Sequence, residues 1–135
     1  MVSKTFIPKS DKHGIPHYGR EKPDPISENA LQEHTAIWLA TQYRKVKCAH
    51  IANERSGKTS MGQIMKLKRQ GMKFGIPDWI FFFPAVGFIE LKVEGGSLKP
   101  TQVEFLLEMQ AVGLPIAVCW SLDSFMFVVN QWYGQ

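Results

Sequence analysis

The sequence predicts an α/β fold, a mixed β-sheet of about four strands flanked by helices in the order α-β-α-β-β-α-β-α. Three observations carry that reading. Two apolar runs, 79–83 and 88–93, are rich in aromatic and branched side chains and meet at the turn residues Pro84 and Gly87, as a hairpin does. Apolar residues recur at helical spacing before and after this hairpin. A further short apolar run, Ile116 to Trp120, reads as another buried strand.

Taken in order, residues 1–25 hold Pro8, Pro16, Pro23 and Pro25 and show neither periodicity. They read as an irregular or flexible arm without assigned chemistry, His13 and His17 included, ahead of a single domain over 26–135. Ser27 is an N-cap, and Leu31, Thr35, Trp38 and Leu39 continue a helix to about Arg44. Glu28 and Gln32 lie one turn apart beside that stripe, whereas Glu33 projects from another face. On its own, Glu28 is as well explained as a first-turn charge complementing the helix dipole, worth about 0.3–1 kcal/mol. Val46 to Ala52 reads as a strand and 53–58 as a polar loop, followed by a helix from about Thr59 to Gln70. That helix places Met61, Ile64 and Met65 on one side, with Lys66, Arg69 and, beyond Gly71, Lys73 elsewhere as a basic cluster. Gly57-Lys58-Thr59 does not make a phosphate-binding P-loop, because the motif needs glycine where Ala52 stands, so no nucleotide cofactor is expected. After the hairpin, Pro100 opens a helix that ends at Gly113, with Gln102 in its first turn. Leu122, Phe125, Met126, Val129 and Trp132 form a closing stripe that is wide for a small monomer, and with Trp120, Phe127 and Tyr133 nearby it suggests a homodimer interface.

The hairpin carries the chemistry. Alternate residues of a strand share a face, so Glu90 and Lys92 look into the same space. If the turn is Pro84 to Val86 with Gly87 as a bulge, Phe83 pairs with Gly87 and Asp78 falls opposite Lys92. A two-residue turn would send Asp78 to the other side. Two carboxylates in one space repel unless a cation joins them, and hard divalent ions such as Mg2+ prefer carboxylate and carbonyl oxygen. Such an ion with a neighbouring lysine suits hydrolysis of a phosphodiester. A bare E-x-K is equally the sequence of a solvated ion pair.

The 135 residues, 44% of them hydrophobic, suit one domain with its own core. A net charge of +4 and a pI near 9.1 fit an anionic partner. Cys48 and Cys119 sit in apolar runs without metal-ligand spacing and read as reduced core residues of a soluble, intracellular, cytoplasmic protein. No apolar segment approaches membrane-spanning length, so no membrane partner is expected.

Six elements in order resemble the VRR-NUC (virus-type replication-repair nuclease) family of the PD-(D/E)xK nuclease superfamily. They are Ser27-Glu28-x-x-Leu31-Gln32, Asn53-Glu54, Gly71-x-x-x-Gly75-Ile76-Pro77-Asp78, Phe88-Ile89-Glu90-Leu91-Lys92, Leu98-x-Pro100-x-Gln102, and a glycine-terminated helix before a last strand. The resemblance implies a restriction-endonuclease-like core and a Mg2+- or Mn2+-dependent endonuclease acting on DNA, selective for branched or junction-like forms in replication, recombination or repair. It implies Asp78, Glu90, Glu28 and the Leu91 backbone carbonyl as metal ligands, Lys92 as the catalytic lysine and Gln102 completing the site. Lys58, Lys66, Arg69, Lys73 and Lys99 are the expected DNA contacts, and a homodimer supplies two sites. The sequence departs from the family pattern in placing Arg55-Ser56 before Gly57, and Lys99 where a serine usually caps the next helix. Two other readings stand beside this one: a DNA-binding domain that does not cut, and a metal-dependent hydrolase of another phosphodiester.

Overall fold

The computed structural model describes residues 4–51 and 60–134. Within them the chain runs β1 (Lys9–Ser10), β2 (Pro16–Tyr18), α1 (Glu28–Gln42), β3 (Lys47–His50), α2 (Met61–Arg69), β4 (Trp79–Phe83), β5 (Gly87–Leu91), α3 (Pro100–Ala111), β6 (Ile116–Cys119) and α4 (Leu122–Tyr133). The strands form one sheet in the order β1-β2-β6-β5-β4-β3. It is mixed, with β6 parallel to both β5 and β2 and the remaining pairs antiparallel.

From α1 onward the order of elements is the one the periodicities predict. The sheet has six strands rather than about four, and the two extra strands come from the segment expected to be an irregular arm. β2 adds to β6, with His17 opposite Val118 and Tyr18 opposite Cys119, and both of those side chains become buried. Strands of two and three residues are too short to show alternation, which hid them. The prolines do not oppose this arrangement, since Pro16 is the first residue of its strand, where no ladder donor is lost. Farther along, the Asp24 amide donates to the Trp120 carbonyl at 2.9 Å, and Asp24 Oδ2 accepts from the Leu122 amide at 2.8 Å, capping α4.

Alternation divides the core between the two faces of the sheet. Ile89, Leu91, Ala117 and Cys119 pack with Leu31 and Leu39 of α1 and with Phe125, Val128 and Val129 of α4. Phe88, Ile116 and Val118 pack with Leu106 of α3. Glu90 and Lys92 share the parity of Phe88, so both point toward the α3 face, where Gln102 waits.

The two helices with apolar stripes pack differently. No side chain of α2 is buried, and Met61 and Met65 are 70% and 54% exposed. Ser60 and Gln63 cap this helix reciprocally, so local hydrogen bonds define its start without a core contact. The α4 stripe, in contrast, is used inside the monomer. Phe125 and Val129 are fully buried, Trp120 and Tyr133 are buried, and Leu122, Phe127 and Trp132 pack against the core. Much of the stripe that suggested a dimer interface is therefore used within the monomer, and large exposed apolar side chains also sit at the hairpin tip, where Phe82 and Phe83 are 54% and 57% exposed.

Candidate metal centre

The hairpin register differs from the expected one by two residues. Trp79 faces Ile89, Ile80 faces Phe88 and Phe81 faces Gly87, so the ladder continued outward sets Asp78 beside Glu90, not Lys92. Phe81 is the last residue of β4 to pair with β5, so the connection spans the five residues 82–86 and not the three of the expected turn. A shift of two preserves side-chain parity, so Asp78, Glu90 and Lys92 still share a face.

Asp78 is presented by a constrained approach. Gly75 has φ +80°, and a Cβ there would lie 2.2 Å from the Thr101 carbonyl oxygen at the start of α3, so the backbones pack too closely for any other residue. Pro77 is fully buried. The Asp78 carbonyl accepts from the Ile51 amide at 3.0 Å and from His50 Nδ1 at 2.7 Å, which ties the residue to β3.

The two carboxylates interlock. The Leu91 amide donates to Asp78 Oδ2 at 2.8 Å, and the Asp78 amide donates to Glu90 Oε1 at 3.2 Å. Glu90 Oε2 accepts from Gln102 Nε2 at 2.8 Å and lies 3.2 Å from Lys92 Nζ. Gln102 Oε1 in turn accepts from the Lys99 amide at 2.9 Å, which starts α3 although Lys99 offers no capping side chain. Gln102 thus holds Glu90 in place.

Glu28 brings a third carboxylate from α1, whose N-cap Ser27 accepts from the Ala30 amide at 3.1 Å. Carboxyl oxygens of Glu28, Asp78 and Glu90 all lie within 4.8 Å of one another. Glu28 is an exposed residue, but its carboxyl end feels the cluster: burial, and then Asp78, raise its pKa while Lys92 and Lys99 oppose. Burial above all raises that of Asp78, against the Leu91 amide, His50 and Lys92. Burial and then Asp78 push Glu90 up to about 8, against the pull of Lys92. Three acids that resist ionisation side by side are the donor set a hard divalent cation relieves.

A second observation agrees. Both amide atoms of Gln32 are buried without a hydrogen-bond partner among the described residues. Gln32 stands one turn from Glu28 and one turn from Thr35, whose hydroxyl accepts from Trp79 Nε1 at 3.0 Å, so this orphan amide overlies the start of β4. Such a group calls for a ligand or ordered water at the same place. The residues present therefore fit a hydrated divalent ion.

Of the expected site residues, the fold brings together Glu28, Asp78, Glu90, Lys92 and Gln102. Leu91 enters through its N–H. Lys99 lies at the rim, close enough to influence Glu28. Lys66, Arg69 and Lys73 are exposed on and after α2. Near them, Lys68 and Lys73 line a cavity of about 280 Å³ that also holds Glu104 and Glu108 of α3, so this basic cluster faces acid on one side. Lys58 and Asn53-Glu54 lie outside the described residues. Sequence reasoning missed His50, a lone histidine at a strand end whose partner is a backbone carbonyl 28 positions away. Cys48 and Cys119 are free thiols away from the cluster, and burial pushes both thiols up.

Comparison with known proteins gives the class. The VRR-NUC domain profile matches residues 20–122, and the chain belongs to that family, a nuclease-type family. A solved structure described as a VRR_NUC domain protein is 23% identical, covers 82% of this chain and 90% of its own length, and superposes with a TM-score of 0.65, which is a likeness of fold. No curated protein matches the chain. Among the described residues no helix is long and apolar enough to cross a membrane.

Proposed function

We propose that this protein is a divalent-metal-dependent endonuclease that hydrolyses DNA phosphodiester bonds, with a preference for branched or junction-like DNA. The convergence of Glu28, Asp78 and Glu90 within 4.8 Å, beside a buried lysine, carries the reading. A domain that only binds anionic DNA gains nothing from holding three carboxylates against it.

Asp78, Glu90, Glu28 and the Leu91 carbonyl would hold Mg2+ or Mn2+, which when bound polarises a phosphoryl oxygen and lowers the pKa of a bound water. The remaining work falls to this chain's own groups. The Leu91 and Asp78 amides fix the carboxylates, and Gln102 keeps Glu90 oriented while its other end is anchored on the start of α3. Lys92, held by Glu90, orients the attacking water and offsets charge on the phosphate as it builds. Lys58, Lys66, Arg69, Lys73 and Lys99 contact the sugar-phosphate backbone. Cutting both strands takes two sites, for which a two-fold homodimer is the simplest source, and the exposed hairpin tip offers it an apolar surface.

The test is nicking of plasmid and of a four-way junction with Mg2+ or Mn2+. Wild type cleaves and EDTA stops it. Asp78→Ala abolishes cleavage, and Lys92→Ala lowers it at least about 100-fold, with melting behaviour near wild type. Near-normal turnover in either variant overturns the assignment.

A further inference from the structure

We propose that the groove between the N-terminal hairpin and the loop joining Lys92 to Gln102 is a second phosphate subsite, holding the backbone of the DNA strand a few nucleotides from the scissile bond. The proposal rests on the nuclease reading above and deepens it.

The groove encloses about 430 Å³ and is lined by Lys12, His13 and Arg20 of the arm, and by Ser97, Leu98 and Val103 across from it. Its donors are of the kind that contact phosphate: an ammonium, a guanidinium and a hydroxyl. Asp11 also lines it, but both its oxygens are held from within the arm and its one negative charge is outnumbered by Lys12 and Arg20. Oδ1 accepts from the His13 and Ile15 amides at 2.8 and 3.1 Å, and Oδ2 accepts from His17 Nε2–H at 2.7 Å. That tautomer is fixed from the other side, because the Trp120 indole N–H donates to His17 Nδ1 at 3.0 Å. Lys12 and Arg20 are exposed and make no ion pair among the described residues, so they set the sign of the groove, with Lys99 at the end of the same loop adding to it.

The wall is rigid for so short an arm. Arg20 stacks over the Trp120 ring at 5.1 Å, β2 is bonded into the sheet through β6, and Gln110 of α3 donates to the Gly14 carbonyl at 3.2 Å. Ser97 is five residues from Lys92 and five from Gln102. Chain geometry keeps it within about 18 Å of either, no more than about five base steps along a duplex. Lys12 and His13 precede residue 20, where the family match begins, so this wall is built partly from chain outside the shared domain.

The test is fluorescence anisotropy with a labelled duplex in EDTA across a salt series. The double variant Lys12→Gln/Arg20→Gln is compared with Lys9→Gln/Lys22→Gln, which removes the same charge from exposed positions that do not line the groove. The groove variant should raise Kd roughly tenfold and lower the salt slope by about 1.8, two phosphate contacts' worth, while the control keeps the wild-type slope. Because Arg20 also packs on Trp120, Lys12→Glu and Ser97→Glu, each confirmed as folded by its melting curve, must weaken binding as well. Equal effects of the two double variants reduce the groove to a general field and overturn the subsite while leaving the nuclease reading intact. Wild type that binds no DNA overturns both.

Discussion

Glu90 makes the stability of this protein a function of pH and metal together, in an amount that can be worked out. The carboxyl is 2% exposed, and its folded pKa is raised from 4.5 to about 8. In the unfolded chain it is ionised throughout neutral pH, so between about pH 7 and 8.5 the folded state carries the extra proton and loses it. A raised folded pKa gives stability that is complete below the unfolded value and disappears as pH rises through the folded one. Integrating the linkage relation across that window gives a loss of about 1 kcal/mol. For a domain of this size that lowers Tm by about 3–5 °C. A divalent ion takes the place of the proton, so the rise in Tm on adding Mg2+ should be larger at about pH 8.5 than at pH 7. The assay is calorimetry at both pH values, in EDTA and in saturating Mg2+, on wild type and Glu90→Gln. The variant should lose both the pH slope and the Mg2+ rise. It should also be about 1–3 kcal/mol less stable at pH 7, since its amide N–H2 must face the donors Gln102 Nε2 and Lys92 Nζ or the Asp78 amide. A wild-type Tm in EDTA that stays flat or climbs over this window, parallel to the variant's, refutes the argument.

Three further outcomes are expected. Glu28→Gln should cut cleavage about 10–100-fold, less than Glu90→Gln and more than Glu33→Gln, with a matching loss of metal affinity by calorimetry; normal cleavage and normal affinity together would reduce Glu28 to a helix-terminus charge. Gly75→Ala should lower stability by about 1 kcal/mol or more and slow cleavage, because the new methyl collides with Thr101 and displaces the helix that carries Gln102; wild-type values of both would show that this contact yields freely. Light scattering should show a dimer, and Phe82→Ser/Phe83→Ser should convert it to a monomer, whereas a monomeric wild type removes the two-site argument.

The elements legible in the sequence are those with enough residues to display a period. α1, α3, α4 and the central hairpin each repeat an apolar spacing several times, and Ser27 and Pro100 mark starts that the structure keeps. β1 and β2 were illegible because their strand character lies in what they pair with. Nothing in Pro16-His17-Tyr18 alternates, but β6 presents an open edge, and docking there buries His17 between Asp11 and Trp120. α2 is the opposite case: Met61, Ile64 and Met65 keep a helical spacing, yet among the described residues no side chain of the helix is buried.

The acidic site was legible for a reason that tolerates error in the register. Which residue faces which depends on loop length, and the observed connection between β4 and β5 is two residues longer than the expected turn, with Phe81 and not Phe83 opposite Gly87. Which face a side chain takes depends only on odd or even position, so Asp78, Glu90 and Lys92 stay together under any even shift. Contacts that depend on one exact pairing were beyond the same logic. His50 reaches the Asp78 carbonyl because β3 ends level with the start of β4, and the Asp78 amide meets Glu90 because the true register sets them side by side. The correction also sharpens the chemistry. With Asp78 next to Glu90, the two acids lie closer than the expected pairing placed them, and their mutual repulsion raises Glu90 beyond what burial alone would do. That repulsion is what a bound cation removes.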